Sequence, residues 1–142
     1  MNDLFYHTFF DLAPDPMAIT DFDNGRIIDV NKAFAAWSGY SRDELIGHTT
    51  TELGFWFDDE SRKTVLRELK EAGFFTDIEI ELRRKGDETR QIVFSGRLIE
   101  MDGKKWFLSV ARDISGQKKS EEELRKNRRF LSDLIEHSGA LS

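Results

Sequence analysis

The 142-residue sequence contains no cysteine. Disulfides, thiolate metal sites, thiol nucleophiles and flavin photochemistry through a cysteinyl adduct are therefore excluded, and redox usage says nothing about compartment. Histidine is scarce: the three residues, at 7, 48 and 137, show no metal-ligand spacing, so no metal site is expected. No stretch approaches the ~20 apolar residues of a spanning helix, and no signal peptide is expected. A cytoplasmic segment without membrane contact is expected. Basic excess is missing too, since 27 acidic side chains outnumber 21 basic ones for a formal net charge of -6. Such a chain lacks the basic face that sequence-independent nucleic-acid binding needs. There is no glycine-rich phosphate cradle and no nucleophile beside a base. The carboxylates Glu79 and Glu81 share a strand face, as wet sheet surfaces routinely show. No enzyme activity is expected of this segment.

What the chain has in quantity is aromatic side chains, twelve Phe and three Trp, enough for an aromatic-rich core in one domain with an appendage. Residues 2–13 carry Leu4, Phe5, Phe9 and Leu12 at helical spacing, with Phe10 beside them. Pro14 and Pro16 end that helix by Ala13. Residues 17–20 read as a short strand and 26–30 as its return. Between them Asp23-Asn24-Gly25 supplies the positive-φ residues of a tight hairpin. Asn31 is placed to cap a helix over 32–37 that ends at Gly39. Ser41 and Glu44 form a capping box for a second short helix, carrying Leu45 and Ile46 and closed by Gly47. From 48 to 56 there is no clean period. Asp58-Asp59-Glu60 then suits a helix N-terminus, and Val65, Leu66 and Leu69 continue it to Gly73.

From Phe74 the period falls to two, with Ile78, Ile80 and Leu82 alternating with Glu79, Glu81 and Arg83. Lys85-Gly86-Asp87 turns into a long strand over 90–101, and Asp102-Gly103 turns into a last one. That last strand shows Trp106, Leu108 and Val110 on one face and Phe107, Ser109 and Ala111 on the other. A strand with no wet face belongs in the middle of a sheet covered on both sides. Two strands, several short helices and three more strands make an α+β domain.

In this order the pieces resemble a PAS sensor domain followed by its output linker, over roughly residues 3–115. The resemblance rests on the strand after Pro16, the hairpin Asp23-Asn24-Gly25, and the helix opening Asn31-Lys32-Ala33-Phe34. It continues through Trp37-Ser38-Gly39-Tyr40-Ser41-Arg42-Asp43-Glu44-Leu45-Ile46-Gly47, the turn Arg83-Arg84-Lys85-Gly86-Asp87, and Arg112-Asp113-Ile114-Ser115 at the exit. No piece is specific alone; their order and spacing are. The resemblance implies a five-stranded antiparallel sheet of order 2-1-5-4-3, with short helices on one face enclosing a small interior. The chain then divides into an N-terminal flanking helix at 1–14, the sensor domain at 15–115 and a signalling linker helix at 116–133. Residues 134–142 are read as the truncated start of a following domain. That boundary comes from an internal repeat: 9–14 and 134–139 both run apolar, apolar, acidic, variable, small, turn residue. One amphipathic helical pattern occurring twice by coincidence gives the same match. His137 is not read as a histidine-kinase phosphoacceptor, because Ser138-Gly139 do not resemble the acidic-apolar-Arg stretch that such kinases place after theirs.

In such a domain a ligand lies between helices and sheet. Candidates from the helical side are Phe34, Trp37 and Trp56. From the sheet they are Gln91, Val93, Ser95, Ser109 and Ala111, placed by matching the strands to those of flavin-binding relatives. The aromatics either line a ligand site or simply fill the core. Gln91, Ser95 and Ser109 point to a ligand if they face inward, since buried polar groups need partners, yet one another or a water would serve. Haem-binding relatives carry an axial histidine on the helix near 59–72, where this chain has none. Relatives that hold flavin-adenine dinucleotide non-covalently carry a tryptophan near Phe75. The expected ligand is an unknown small molecule or none, with haem and cysteinyl-flavin disfavoured.

The resemblance gives Asp113, Ile114 and Ser115 the role of signal relay, the acid tying the strand exit to the core while the next residues open the linker helix. A plain strand stop, with carboxylate and hydroxyl satisfying backbone amides, fits the same residues. Over 117–136, Leu124, Leu131 and Ile135 are spaced by seven and four, while Gln117, Glu121 and Arg128 hold the other seam positions. A weak coiled coil and a solvated linker both fit. Phe5, Phe9 and Phe10 are expected to cover the outer sheet face made by Trp106, Leu108 and Val110 with Ile92, Phe94 and Leu98, within one chain or across a homodimer. The function expected is that of a bacterial sensory module. It would bind a small ligand or partner and pass a conformational change through its C-terminal helix to a covalently linked histidine kinase or diguanylate cyclase. The alternative is a ligand-free dimerisation module.

Overall fold

The computed structural model describes residues 3–141, with side chains through Glu136. Five strands form one antiparallel sheet: β1 (Met17–Asp21), β2 (Ile27–Val30), β3 (Phe74–Arg83), β4 (Thr89–Met101) and β5 (Lys104–Asp113). Their order is β2-β1-β5-β4-β3, so the last strand is central, as expected. Between β2 and β3 the chain makes α2 (Lys32–Ser38), α3 (Arg42–Leu45) and α4 (Asp59–Ala72). Helix α1 (Asp3–Leu12) precedes the sheet and α5 (Ser115–Leu141) follows it.

Asn31, Ser41 and Asp58 sit in extended backbone and accept from Phe34 N, Glu44 N and Ser61 N, starting the three middle helices. Glu44 closes the capping box by accepting from Ser41 N. Asn31 does more than cap. It is 1% exposed, its Oδ1 also accepts from Met17 N, and its Nδ2 donates to Phe10 O and Asp15 O. Every bonding position of one amide is thereby used to pin α1, β1 and α2 together. At the β1–β2 hairpin only Gly25 takes a positive φ, at 73°. Asp23 and Asn24 do not share it, because the Asp21 carboxylate holds Asp23 N and Asp21 O holds Gly25 N.

The core lies on one side of the sheet. Val65 and Leu69 of α4 pack with Phe75, Ile80, Leu82, Ile92, Phe94 and Ala111, and a second cluster joins Ala18, Ile27, Val30, Leu45 and Phe55. Ile92, Phe94 and Leu98 thus belong to the inner face, against the expectation that they help build the outer one. The Asp102-Gly103 turn fixes this. With φ of 54° and 74° it is a two-residue hairpin that pairs Met101 with Lys104 and sets Phe94 opposite Ala111 and Leu98 opposite Phe107. Residues directly opposite in an antiparallel pair share a face.

The outer face is not covered as expected. Trp106 and Leu108 are half-buried, and Val110 is 36% exposed. Only Phe10 of the leading helix is buried, while Phe5 and Phe9 are 58% and 69% exposed. Polar contacts hold α1 at the sheet margin instead: Tyr6 Oη donates to Asp29 Oδ2 (3.1 Å), and Asp11 Oδ1 accepts from Lys32 N (3.1 Å). Helix α5 runs unbroken through the expected linker boundary at 133–134. Met1, Asn2, Ser142 and the side chain of His137 lie outside the described residues. Among the described residues no helix is long and apolar enough to cross a membrane.

Candidate ligand cavity and its exit turn

The inner sheet face, α2, α4 and the loop at 49–56 enclose a cavity of about 650 Å³, a size that suits a small organic ligand. Its space comes from small residues on neighbouring strands. Ala18 of β1 pairs with Ser109 of β5, and Ala111 follows on the same face. Aromatic rings form the walls: Phe34 and Trp37 of α2 lie edge-on at 6.1 Å, Phe55 meets Phe34 at 5.7 Å, and Trp56 meets Phe94 at 6.2 Å. Gly96 gives Phe107 its place, since a Cβ there would lie 2.3 Å from that ring.

Most polar groups on the wall are engaged. Trp56 Nε1 donates to Thr50 Oγ1 (3.0 Å) and Thr20 Oγ1 to Phe107 O (3.4 Å). Asp21 accepts from Lys104 Nζ at 2.9 Å, a bond that holds its carboxyl below the usual range despite burial. Ser109 Oγ has no hydrogen-bond partner among the described residues.

Of the residues expected around a ligand, the structure brings Phe34, Trp37, Trp56, Ser109 and Ala111 together on this cavity. Gln91, Val93 and Ser95 face the other side of the sheet. Gln91 Nε2 donates to Glu81 Oε1 (2.8 Å), and Ser95 Oγ accepts from Asp77 N (3.0 Å) where β3 bulges. Val93 lies opposite Glu79 and Arg112. The strand match that placed these three inward is off by one residue, which moves every side chain across the sheet. Phe107 also lines the wall, as its place on the face of Ser109 and Ala111 allowed, whereas Thr20, Phe55 and Leu66 carry no sequence signal that says they meet a void.

At the end of β5 the Asp113 carboxylate gathers four donors. Oδ2 accepts from Trp37 Nε1 (2.8 Å) and Arg90 Nε (2.7 Å), and Oδ1 from Arg90 Nη2 (3.3 Å) and Ser115 N (2.9 Å). Burial works to raise its pKa, but the bonds from Arg90, Ser115 and Trp37 outweigh it and bring the carboxyl down to about 2. Next to it Ile114 is buried and donates its N–H to Gln91 O, while Ser115 Oγ accepts from Gln91 N. Gln91 thus serves the exit through its backbone. Lys118 N bonds to Ile114 O in the first turn of α5, and Lys118 Nζ reaches Glu79 at 3.4 Å. Arg90 was legible in principle, being one pleat from Ile92, the residue opposite Asp113.

A sheet of this order, with helices closing a cavity over one face and a helix leaving the central strand, defines a sensory fold. The chain belongs to the PAS domain family, whose pattern it matches over residues 14–116. It is a sensory module, and the segment is not an enzyme. A methyl sulfide methyltransferase-associated sensor of Methanosarcina acetivorans is 29% identical over an alignment of 133 residues that covers 92% of this chain and 13% of that relative. The PAS domain of a Colwellia psychrerythraea protein superposes with a TM-score of 0.69 at 26% identity, over 81% of this chain and 99% of the other. That of an HTR-like protein from Haloarcula marismortui gives 0.61 at 28% identity, over 79% and 91%.

Proposed function

We propose that this domain is the sensing part of a longer cytoplasmic signalling protein. A small molecule enters the cavity, shifts Trp37, and so changes the grip of Asp113 on the first turn of α5. The observation that carries this reading is the 2.8 Å hydrogen bond from Trp37 Nε1, in the cavity wall, to the carboxylate that also holds Ser115 N. A modest rotation of the indole lengthens that bond past its useful range. The change then runs along α5 to a covalently linked histidine kinase or diguanylate cyclase. Residues 15–115 are the sensor, 116–133 the linker, and 134–142 the start of a following domain. The ligand is a small molecule other than haem or a cysteinyl-linked flavin. The name of the methyltransferase-associated sensor supports a sensing role.

Calorimetric unfolding against a metabolite panel tests the reading. A ligand at a hundredfold excess over its Kd stabilises the domain by about 2.7 kcal/mol. A panel in which nothing shifts the transition would contradict ligand sensing. In the full-length protein, Asp113→Ala is expected to leave the fold intact and uncouple output from stimulus. A normal response would overturn the relay. The second reading, a ligand-free dimerisation module, is favoured by exposed Phe5, Phe9 and Leu12 on α1 and Leu124, Leu131 and Ile135 on α5. A second copy would cover both stripes, and sedimentation at rising concentration tests it.

A further inference from the structure

We propose that the cavity takes a small carboxylate with an apolar body, of the medium-chain fatty or aryl-alkanoic acid type. This rests on reading the cavity as a ligand site and adds what the ligand must carry. Arg62, Leu66 and Lys70 recur every four residues along α4, share one face, and all border the cavity. Neither cation is firmly engaged. Arg62 has only exposed Asp59 of its own helix, at 3.8 Å, and Lys70 has no ion pair or hydrogen bond among the described residues. The acids of the same cavity differ. Asp21 is neutralised by Lys104 and bonded to Asp23 N, while Asp23 stands at the exposed hairpin tip with its charge in water.

Depth and rim therefore ask for opposite things. The depth is ringed by aromatic side chains, with Ser109 Oγ as an unengaged polar atom. An apolar body gains there by leaving water, whereas a sugar or nucleotide would lose hydroxyl hydration without replacement. The rim offers two cations flanking Leu66. A carboxylate held there makes charge-assisted hydrogen bonds yet stays close enough to solvent to avoid the full cost of burial. An ammonium would meet two like charges.

Isothermal titration of the whole chain with octanoate, 1-octanol and octylammonium tests this, with 3-phenylpropionate and 3-phenyl-1-propanol as a second pair. Each acid is expected to bind about tenfold or more tighter than its alcohol, with octylammonium weakest. In the Arg62→Gln/Lys70→Gln variant the acids should fall to the level of their alcohols. Arg67→Gln, an exposed residue of α4 that does not border the cavity, should change nothing. Both sites are at the surface, and circular dichroism of each variant confirms the fold. Equal binding of acid and alcohol, or acid binding unaffected by the double substitution, would overturn the charge assignment and leave the cavity standing as a ligand site. Failure of both acids to bind would overturn the proposal, and a metabolite hit in the calorimetric panel would then still uphold the cavity. A panel without hits would remove both.

Discussion

The two faces of β5 come from one run of residues and end differently. Toward the helices, Ala111 is buried among Ile92, Phe94 and Phe75. Away from them, Val110 is exposed, Trp106 and Leu108 are half-covered, and Trp106 Nε1 is buried without a hydrogen-bond partner among the described residues. Both faces read as apolar. One has α2, α4 and the 49–56 loop above it, and the other has only the edge of α1. Apolar patterning says that a face gains from cover; what supplies the cover is decided by where capped and bonded ends place the helices.

The largest expected effect sets the faces against each other directly. Phe94→Ala on the inner face should cost about 3–5 kcal/mol, and Leu108→Ala on the outer face about 1 kcal/mol or less, by urea denaturation. Equal losses would break the comparison and show that the outer face is covered in solution. Asn31→Ala comes next. It leaves buried groups of α1, β1 and α2 without partners, and a loss of about 2–4 kcal/mol is expected in the same assay. A loss under about 1 kcal/mol would mean that α1 is anchored some other way.

Asp113 sharpens the contrast at the point where the inner face meets α5. Its folded pKa of about 2 lies below the ordinary 3.8, so its contribution is complete above about pH 4 and fades as pH falls through 2. Asp113→Asn should cost about 1–3 kcal/mol at neutral pH and flatten the stability profile between pH 4 and 2. An unchanged acid limb would count against the network. The smallest effect belongs to the outer margin. Burial, then the neighbouring Asp29 carboxylate, push the Tyr6 phenol up to about 12. Because that pKa is raised, its contribution is whole below about pH 10 and is lost from 10 to 12. Tyr6→Phe should cost about 0.5–1.5 kcal/mol and remove the late step of an absorbance titration at 295 nm.

The caps at Asn31 and Ser41, the helix start at Asp58 and the turns could be read from sequence because each depends on a few adjacent residues, and the central place of β5 because both of its faces are apolar. The facing of β4 could have been. Counting back from the Asp102-Gly103 turn puts Phe94 and Gly96 beside Ala111 and Ser109, so Gln91, Val93 and Ser95 had to point outward. What sequence could not supply is long-range. The Trp37–Asp113 bond spans 76 residues, and the outward stripe of α1 follows from contacts to Asp29 and Asn31 that no helical period announces.

Hydrogen exchange at the start of α5, compared between the native chain and Trp37→Phe, tests the central claim most directly. Phe keeps the ring in the cavity wall but cannot donate to Asp113. The account predicts faster exchange at Ser115 N, held by Asp113, and at Lys118 N one turn on, with the β4–β5 amides unchanged. Unchanged protection at both amides would mean that the cavity wall has no hold on the helix, and the relay would be wrong.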